Sequence, residues 1–144
     1  MEARTYEEEL SHAGTVAFPV KGVSMQPLIK AGRDAVFVAA KQGRLDRYDV
    51  GLFKRDNGEY VLHRALAVQE EGYLFCGDSQ TFTETVREDQ VLGTMQGLVR
   101  KGKTVDLDGK AYRAYVVLWC GLFPARRMLL KVLHRMGIWV PGKR

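Results

Sequence analysis

Two residues of this chain combine a reactive side chain with a setting that suits chemistry. Ser24 lies in Gly22-Val-Ser24-Met25-Gln-Pro27, a sharply turned stretch just after an extended segment. A nucleophilic hydroxyl needs such exposure, because its Oγ must reach a carbonyl while its own backbone N–H helps hold the oxyanion. Alone, a Gly-x-Ser turn is weak, since most such turns are only turns. His63 sits inside the run Glu59 to Gln69, where alternation puts Val61, Ala65 and Ala67 on its face and Tyr60, Leu62, Arg64, Leu66 and Val68 on the other. Small neighbours leave space beside the ring, and an imidazole ordinarily titrates close enough to neutrality to take a proton from serine. His12, at a helix end, and His134, on a basic tail, suit that role less well. Gly77-Asp78 follows a strand candidate, and Glu84 lies six residues beyond Asp78. Either acid can orient the imidazole and stabilise its charged form. Asp78 equally suits a turn, and Glu84 a solvated loop.

Cys76 and Cys120 are the only cysteines and stand far apart, outside any Cys-x-x-Cys or Cys/His ligand spacing. Neither a disulfide framework nor a metal site is indicated, and hydroxyl chemistry needs no cofactor.

The elements that must position these residues are mostly short and extended. A helix is expected over Arg4 to Ser11, ended by Ala13-Gly14, then a strand Thr15 to Val20 whose Pro19 suits a sheet edge. Further strands are expected at Ala35 to Ala40, Val50 to Lys54, Glu59 to Gln69, Tyr73 to Cys76 and Val91 to Lys101. Asp56-Asn-Gly58 makes Val50 to Gln69 a β-hairpin. After Asp108-Gly109 the apolar spacing becomes helical, with Tyr112, Tyr115, Val116, Trp119, Leu122 and Phe123 recurring at three and four. Pro124 breaks that pattern, and Arg126 to Met136 resumes it with an apolar stripe of Met128, Leu129, Val132, Leu133 and Met136. The expected architecture is a mainly β body, residues 1–109, followed by a C-terminal amphipathic helical hairpin, residues 110–144.

Charge divides along the same boundary. Residues 1–109 carry a net −3, whereas residues 110–144 carry +8 with no acidic residue at all. Such a tail suits an anionic surface, and its bulky apolar stripe argues against tracking nucleic-acid phosphates. No apolar run reaches the length of about 18 residues that a spanning helix requires, and the first ten residues are acidic and polar, unlike a secretory leader. A cytoplasmic location is expected.

Taken together, Gly22-Val-Ser24-Met25-Gln-Pro27-Leu-Ile-Lys-Ala-Gly32-Arg-Asp34 resembles the Ser-Met-x-Pro...Gly-Asp nucleophile motif of the signal-peptidase and LexA-like serine peptidase superfamily. Three further stretches agree in order: Tyr48-Asp49-Val50 with its Gly-Asp-Val strand start, Val61-Leu62-His63-Arg64 with its His-Arg-Val strand, and Cys76-Gly77-Asp78-Ser79 with its Gly-Asp-Asn loop. The similarity spans roughly Val16 to Arg100, and His63 stands where the histidine branch (archaeal, ER and sporulation-type signal peptidases) has its base. The resemblance implies a coiled, mostly antiparallel β fold with Ser24 as nucleophile and His63 as general base. It implies an acid from the Gly-Asp loop region, Asp78 or Glu84, and substrate contacts from Val23, Met25 and Pro27 beside the nucleophile. Departures are the extra residue in Gly32-Arg33-Asp34, Tyr48 where the family has glycine, and the lack of an N-terminal membrane anchor.

The function so implied is a serine endopeptidase that cleaves a peptide or leader segment through an acyl-enzyme. A non-catalytic peptide-binding module on the same fold is the alternative. Self-cleavage at Ala13-Gly14, the dipeptide type that LexA-like repressors cut, is disfavoured by the short chain between Gly14 and Ser24. The expected partners are a peptide or protein substrate and, through the C-terminal hairpin, the inner face of a membrane. For that contact Trp119, Leu122, Phe123, Met128 and Leu129 would be the apolar groups, and Arg113, Arg126, Arg127, Lys131 and Arg135 the cations. The competing expectation is that the apolar stripe packs on the β body.

Overall fold

Thr5 starts the first helix, α1 (Tyr6–Ala13), with a capping box: its hydroxyl accepts from the Glu8 N–H while the Glu8 carboxylate accepts from the Thr5 N–H. Gly14 ends it in the left-handed conformation, its N–H returning to the Leu10 carbonyl, so Ala13-Gly14 is wound into a helix cap rather than extended. The computed structural model describes residues 5–20, 22 and 24–137, and within them α1 is followed by β1 (Thr15–Pro19), β2 (Ala35–Ala40), β3 (Val50–Lys54), β4 (Tyr60–Gln69) and β5 (Gly72–Cys76). Next come β6 (Glu84–Arg87), a single turn Glu88–Gln90, β7 (Val91–Arg100), β8 (Lys103–Thr104), α2 (Lys110–Gly121) and α3 (Phe123–Met136). The molecule is thus mainly antiparallel β, with one short N-terminal and two C-terminal helices. β6 and β8 were not expected: β6 has one apolar residue, Val86, and forms because β5 offers it an edge. The two expected helical stretches are present, but the break falls at Leu122 rather than at Pro124, which occupies the first turn of α3, where its missing N–H has no intrahelical partner to lose.

One sheet runs β1-β2-β7-β3-β4-β5-β6, with β8 added to β7, so Pro19 does lie on an edge strand. Register shifts at Phe37/Val38, Leu52/Phe53 and between Ala65 and Ala67 insert bulges, each of which bends its strand and raises the local twist. The bent sheet carries apolar clusters on both faces. Val36, Val38, Val50, Leu52 and Leu98 pack on one side against Leu10 and the Met25-to-Ile29 segment. Phe53, Ala65, Tyr73, Phe75 and Val91 pack on the other. Central strand β3 serves both, which is why four of its five residues are buried.

The segment between β1 and β2, which carries Ser24, is tied down by Asp34. Its buried carboxylate accepts from the Lys30 and Lys101 amides at 2.8 and 3.1 Å and from the Arg33 guanidinium at 2.8 Å. The extra residue of Gly32-Arg33-Asp34 therefore supplies a partner to the aspartate.

The C-terminal helices pack on the sheet through α2. Val116 and Cys120 join Leu66 and Cys76 in a third cluster, flanked by Tyr112, Tyr115 and Trp119. The inward face of α3 is not the expected stripe: Arg126 and Leu130 are buried with Leu133 half-buried, whereas Met128, Leu129, Val132 and Met136 face outward. Among the described residues no helix is long and apolar enough to cross a membrane.

Burial opposes ionisation of Asp34, but the hydrogen bonds from Arg33, Lys30 and Lys101 and the Arg33 charge outweigh it and hold the carboxyl down at about 2. A carboxyl whose folded pKa is depressed adds stability above its unfolded value, and that stability is lost as pH falls through the folded value. Urea titrations should therefore show about 2 kcal/mol of stability disappearing between about pH 4 and pH 2, and a shallower acid slope in Asp34→Asn.

Candidate active site

Ser24 and His63, distant in sequence, meet in the lining of one cleft. His63 is held by β4, paired across the ladder with Gly51 of β3, and its ring lies edge-on to Phe53 at 6.0 Å between centroids. Ser24 is half-buried in the turn after β1, and its Oγ stands 3.0 Å from His63 Nε2. In that geometry the neutral imidazole accepts the hydroxyl proton at Nε2, provided Nδ1 carries its own hydrogen.

The Gly77-Asp78 loop is pressed against the Ser24 backbone. Ser79 donates its N–H to the Ser24 carbonyl at 2.9 Å. A Cβ placed on Gly77 would fall 2.4 Å from that carbonyl oxygen and 3.0 Å from Ser24 Cβ, so only glycine permits the approach. Gln80 closes the loop by accepting the Gly77 N–H at 3.0 Å, and its side chain lines the cleft.

Both acids offered by the sequence are engaged by arginines. Asp78 is fully buried and accepts from Arg64 Nε at 2.9 Å and Nη2 at 3.0 Å, with the Tyr115 hydroxyl adding a bond at 2.6 Å. Glu84, at the start of β6, accepts from Arg55 Nε and Nη2 at 2.8 and 2.9 Å. Asp78 thus anchors the loop beside Ser24, on the face of β4 opposite His63. Burial alone would favour neutral Arg64, but the Asp78 charge and its hydrogen bonds overcome this and raise the Arg64 pKa well above its usual value. Arg64 Nη1 completes its set by donating to the Tyr48 carbonyl and the Tyr112 hydroxyl, both at 3.0 Å. Tyr48 itself adopts φ 76°, the left-handed region that suits the glycine of the resembled motif.

The cleft has a volume of about 300 Å³, with Phe18, Met25, Leu52, Tyr60 and Leu62 supplying apolar wall and Arg55 a charge at its rim. Tyr6 of α1 closes one end, packing on Phe18 and Tyr60 with centroids 5.0 and 4.7 Å apart. Of the three residues expected to touch substrate, Met25 lines the cleft, Pro27 is exposed outside its lining, and Val23 lies outside the described residues.

The C-terminal helices reach the site, which sequence reasoning missed. Trp119 Nε1 donates to the Asp78 carbonyl at 2.6 Å, and Arg126 Nη2 donates to the Gln80 carbonyl at 3.0 Å. Arg126 is therefore buried against the Gly77–Gln80 loop and over the Trp119 ring, not an exposed cation. The Phe123 side chain lies outside the described set. The available signal was Arg64 itself, since an arginine in the middle of an apolar strand demands a buried counter-charge. Burial pushes the thiols of Cys76 and Cys120 up to about 11, which leaves both protonated and unreactive at neutral pH. Among the described residues no cluster of His, Cys, Asp and Glu could hold a metal ion.

Comparison with known protein families, with characterised proteins and with solved structures found no match to this chain.

Removing one member of a buried ion pair leaves the other charge stranded, at about 3–5 kcal/mol. Asp78→Asn should lower unfolding free energy by that order in chemical denaturation, far more than Glu84→Gln at its half-exposed pair.

Proposed function

We propose that this chain is a serine endopeptidase acting on an extended peptide or leader segment through a Ser24–His63 dyad. The observation that carries the reading is the 3.0 Å approach of Ser24 Oγ to His63 Nε2 in the lining of a cleft that mixes apolar and polar side chains. The resemblance of the Ser24, His63 and Gly77-Asp78 stretches to the signal-peptidase and LexA-like superfamily supports it, as does the pressing of the Gly77 loop onto the nucleophile's backbone.

His63 Nε2 takes the hydroxyl proton as Ser24 Oγ bonds to the scissile carbonyl carbon. The Ser24 backbone N–H stabilises the oxyanion, the imidazolium returns the proton to the departing amine, and an acyl-enzyme remains. A water, deprotonated by the same imidazole, then releases the acid product and restores the hydroxyl. The sheet edge at β1, next to the cleft, offers main-chain partners to an extended substrate.

A second reading, a peptide-binding module without turnover, draws on the engagement of Asp78 and Glu84 by Arg64 and Arg55, which occupies the acids most suited to orient the imidazole. A serine-directed acylating probe separates the two. Peptidase chemistry predicts stoichiometric labelling at Ser24 that disappears in Ser24→Ala and falls by about 1,000-fold or more in His63→Ala. Labelling that survives both substitutions would refute the proposal, and no labelling of the wild type would leave the binding module as the account.

A finer test uses the loop. Gly77→Ala must displace the Ser24 carbonyl, and misplacement by about 1 Å costs on the order of 100-fold in rate. The expected result is a loss of that size in the labelling rate with the far-ultraviolet circular dichroism unchanged.

A further inference from the structure

Seven of the nine large hydrophobic side chains that are exposed among the described residues lie on the α2–α3 hairpin: Val117 and Leu118 on α2, Leu122 at the joint, and Met128, Leu129, Val132 and Met136 on α3. Scattered apolar residues on a surface are ordinary, but a concentration on one hairpin is not. The hairpin is at the same time fastened from beneath by Trp119, Arg126 and the buried Leu130. Its outward face is therefore set by the packing of its inward one.

The order of residues around α3 is informative. At 100° per residue, Leu133, Arg126, Leu130 and His134 share the inward arc, and all four are buried or half-buried. Arg127, Lys131 and Arg135 follow in one row, and Met128, Val132, Met136 and Leu129 occupy the remainder. The cation row and the apolar row are adjacent and share a shallow groove lined by Pro124, Arg127, Met128, Lys131, Val132 and Arg135. Among the described residues Lys110, Arg113, Arg127, Lys131 and Arg135 form no ion pair, and residues 110–144 contain no acid to supply one.

We propose that the outward face of the α2–α3 hairpin docks onto an anionic lipid surface. Apolar side chains flanked by a row of cations allow one face to enter the acyl boundary while the charges stay among phosphates. A second copy of the chain fits poorly, since a twofold contact over this face would bring the same unneutralised cations together. The inference stands apart from the peptidase reading, because none of the outward residues touches Ser24 or His63.

Co-sedimentation of the full chain with phosphatidylcholine vesicles and with equimolar phosphatidylcholine–phosphatidylglycerol vesicles tests it. Binding is expected to the anionic vesicles alone and to weaken as salt is raised. Each cation near such a surface contributes roughly fivefold, so the triple variant Arg127→Gln, Lys131→Gln, Arg135→Gln should lose on the order of 100-fold in partitioning. Met128→Ser with Val132→Ser should weaken binding while leaving its salt dependence in place. These positions are exposed, and unchanged thermal unfolding of both variants confirms that only the surface was altered. Ser24→Ala should bind as the wild type does, so loss of peptidase activity and loss of docking are read separately. Equal binding to both vesicle types, no binding to either, or an unaffected triple variant would overturn the proposal, as would a stable dimer in which the face is protected.

Discussion

The buried pair of Arg64 and Asp78 is the interaction around which the site is assembled. Two charges removed from water cost several kcal/mol each, and the pair is tolerable only because its remaining groups are satisfied: all three Arg64 nitrogens donate and both Asp78 oxygens accept. The partners that satisfy it come from four places: β4, the turn before β3, the loop after β5, and α2. Meeting that demand brings those elements to one point.

The site inherits its geometry from this. Arg64 is the neighbour of His63 on β4, and strand alternation sends the two side chains to opposite faces. Fixing Arg64 against Asp78 consequently aims the imidazole into the cleft on the other side. Asp78 is likewise the neighbour of Gly77 and Ser79, the residues that touch Ser24 from behind. One ion pair thereby sets the height of His63 and the backing of Ser24, with no direct contact to Ser24 Oγ or His63 Nε2. The helices continue the linkage, since Tyr115 and Trp119 bind Asp78 and Arg126 holds Gln80.

Sheet and hairpin were legible because they depend on local pattern. Ala35–Ala40 and Val50–Lys54 are apolar runs bounded by turn residues, and the helical spacing after Gly109 admits no other regular structure. β6 was not legible, since Glu84-Thr-Val-Arg87 carries one buried side chain and owes its conformation to the edge of β5. The partner of each acid was not legible either. Asp78 and Glu84 each stood within plausible reach of an imidazole, and which arginine would claim them depended on strand pairing over long separations.

By itself the sequence determined that the body is mainly β and that the basic charge belongs to the tail, and it singled out Ser24 and His63 as candidates for hydroxyl chemistry. Those properties are encoded in residue type and short-range spacing. Tertiary structure alone decided that Ser24 Oγ and His63 Nε2 stand 3.0 Å apart, that Asp78 serves the loop, and that α3 turns Arg126 inward and Met128 outward. A helix with both a polar and an apolar row can face its body with either. The Gln80 carbonyl and the Trp119 ring give Arg126 a buried site that the chain's pattern does not encode, and the apolar row is left outside.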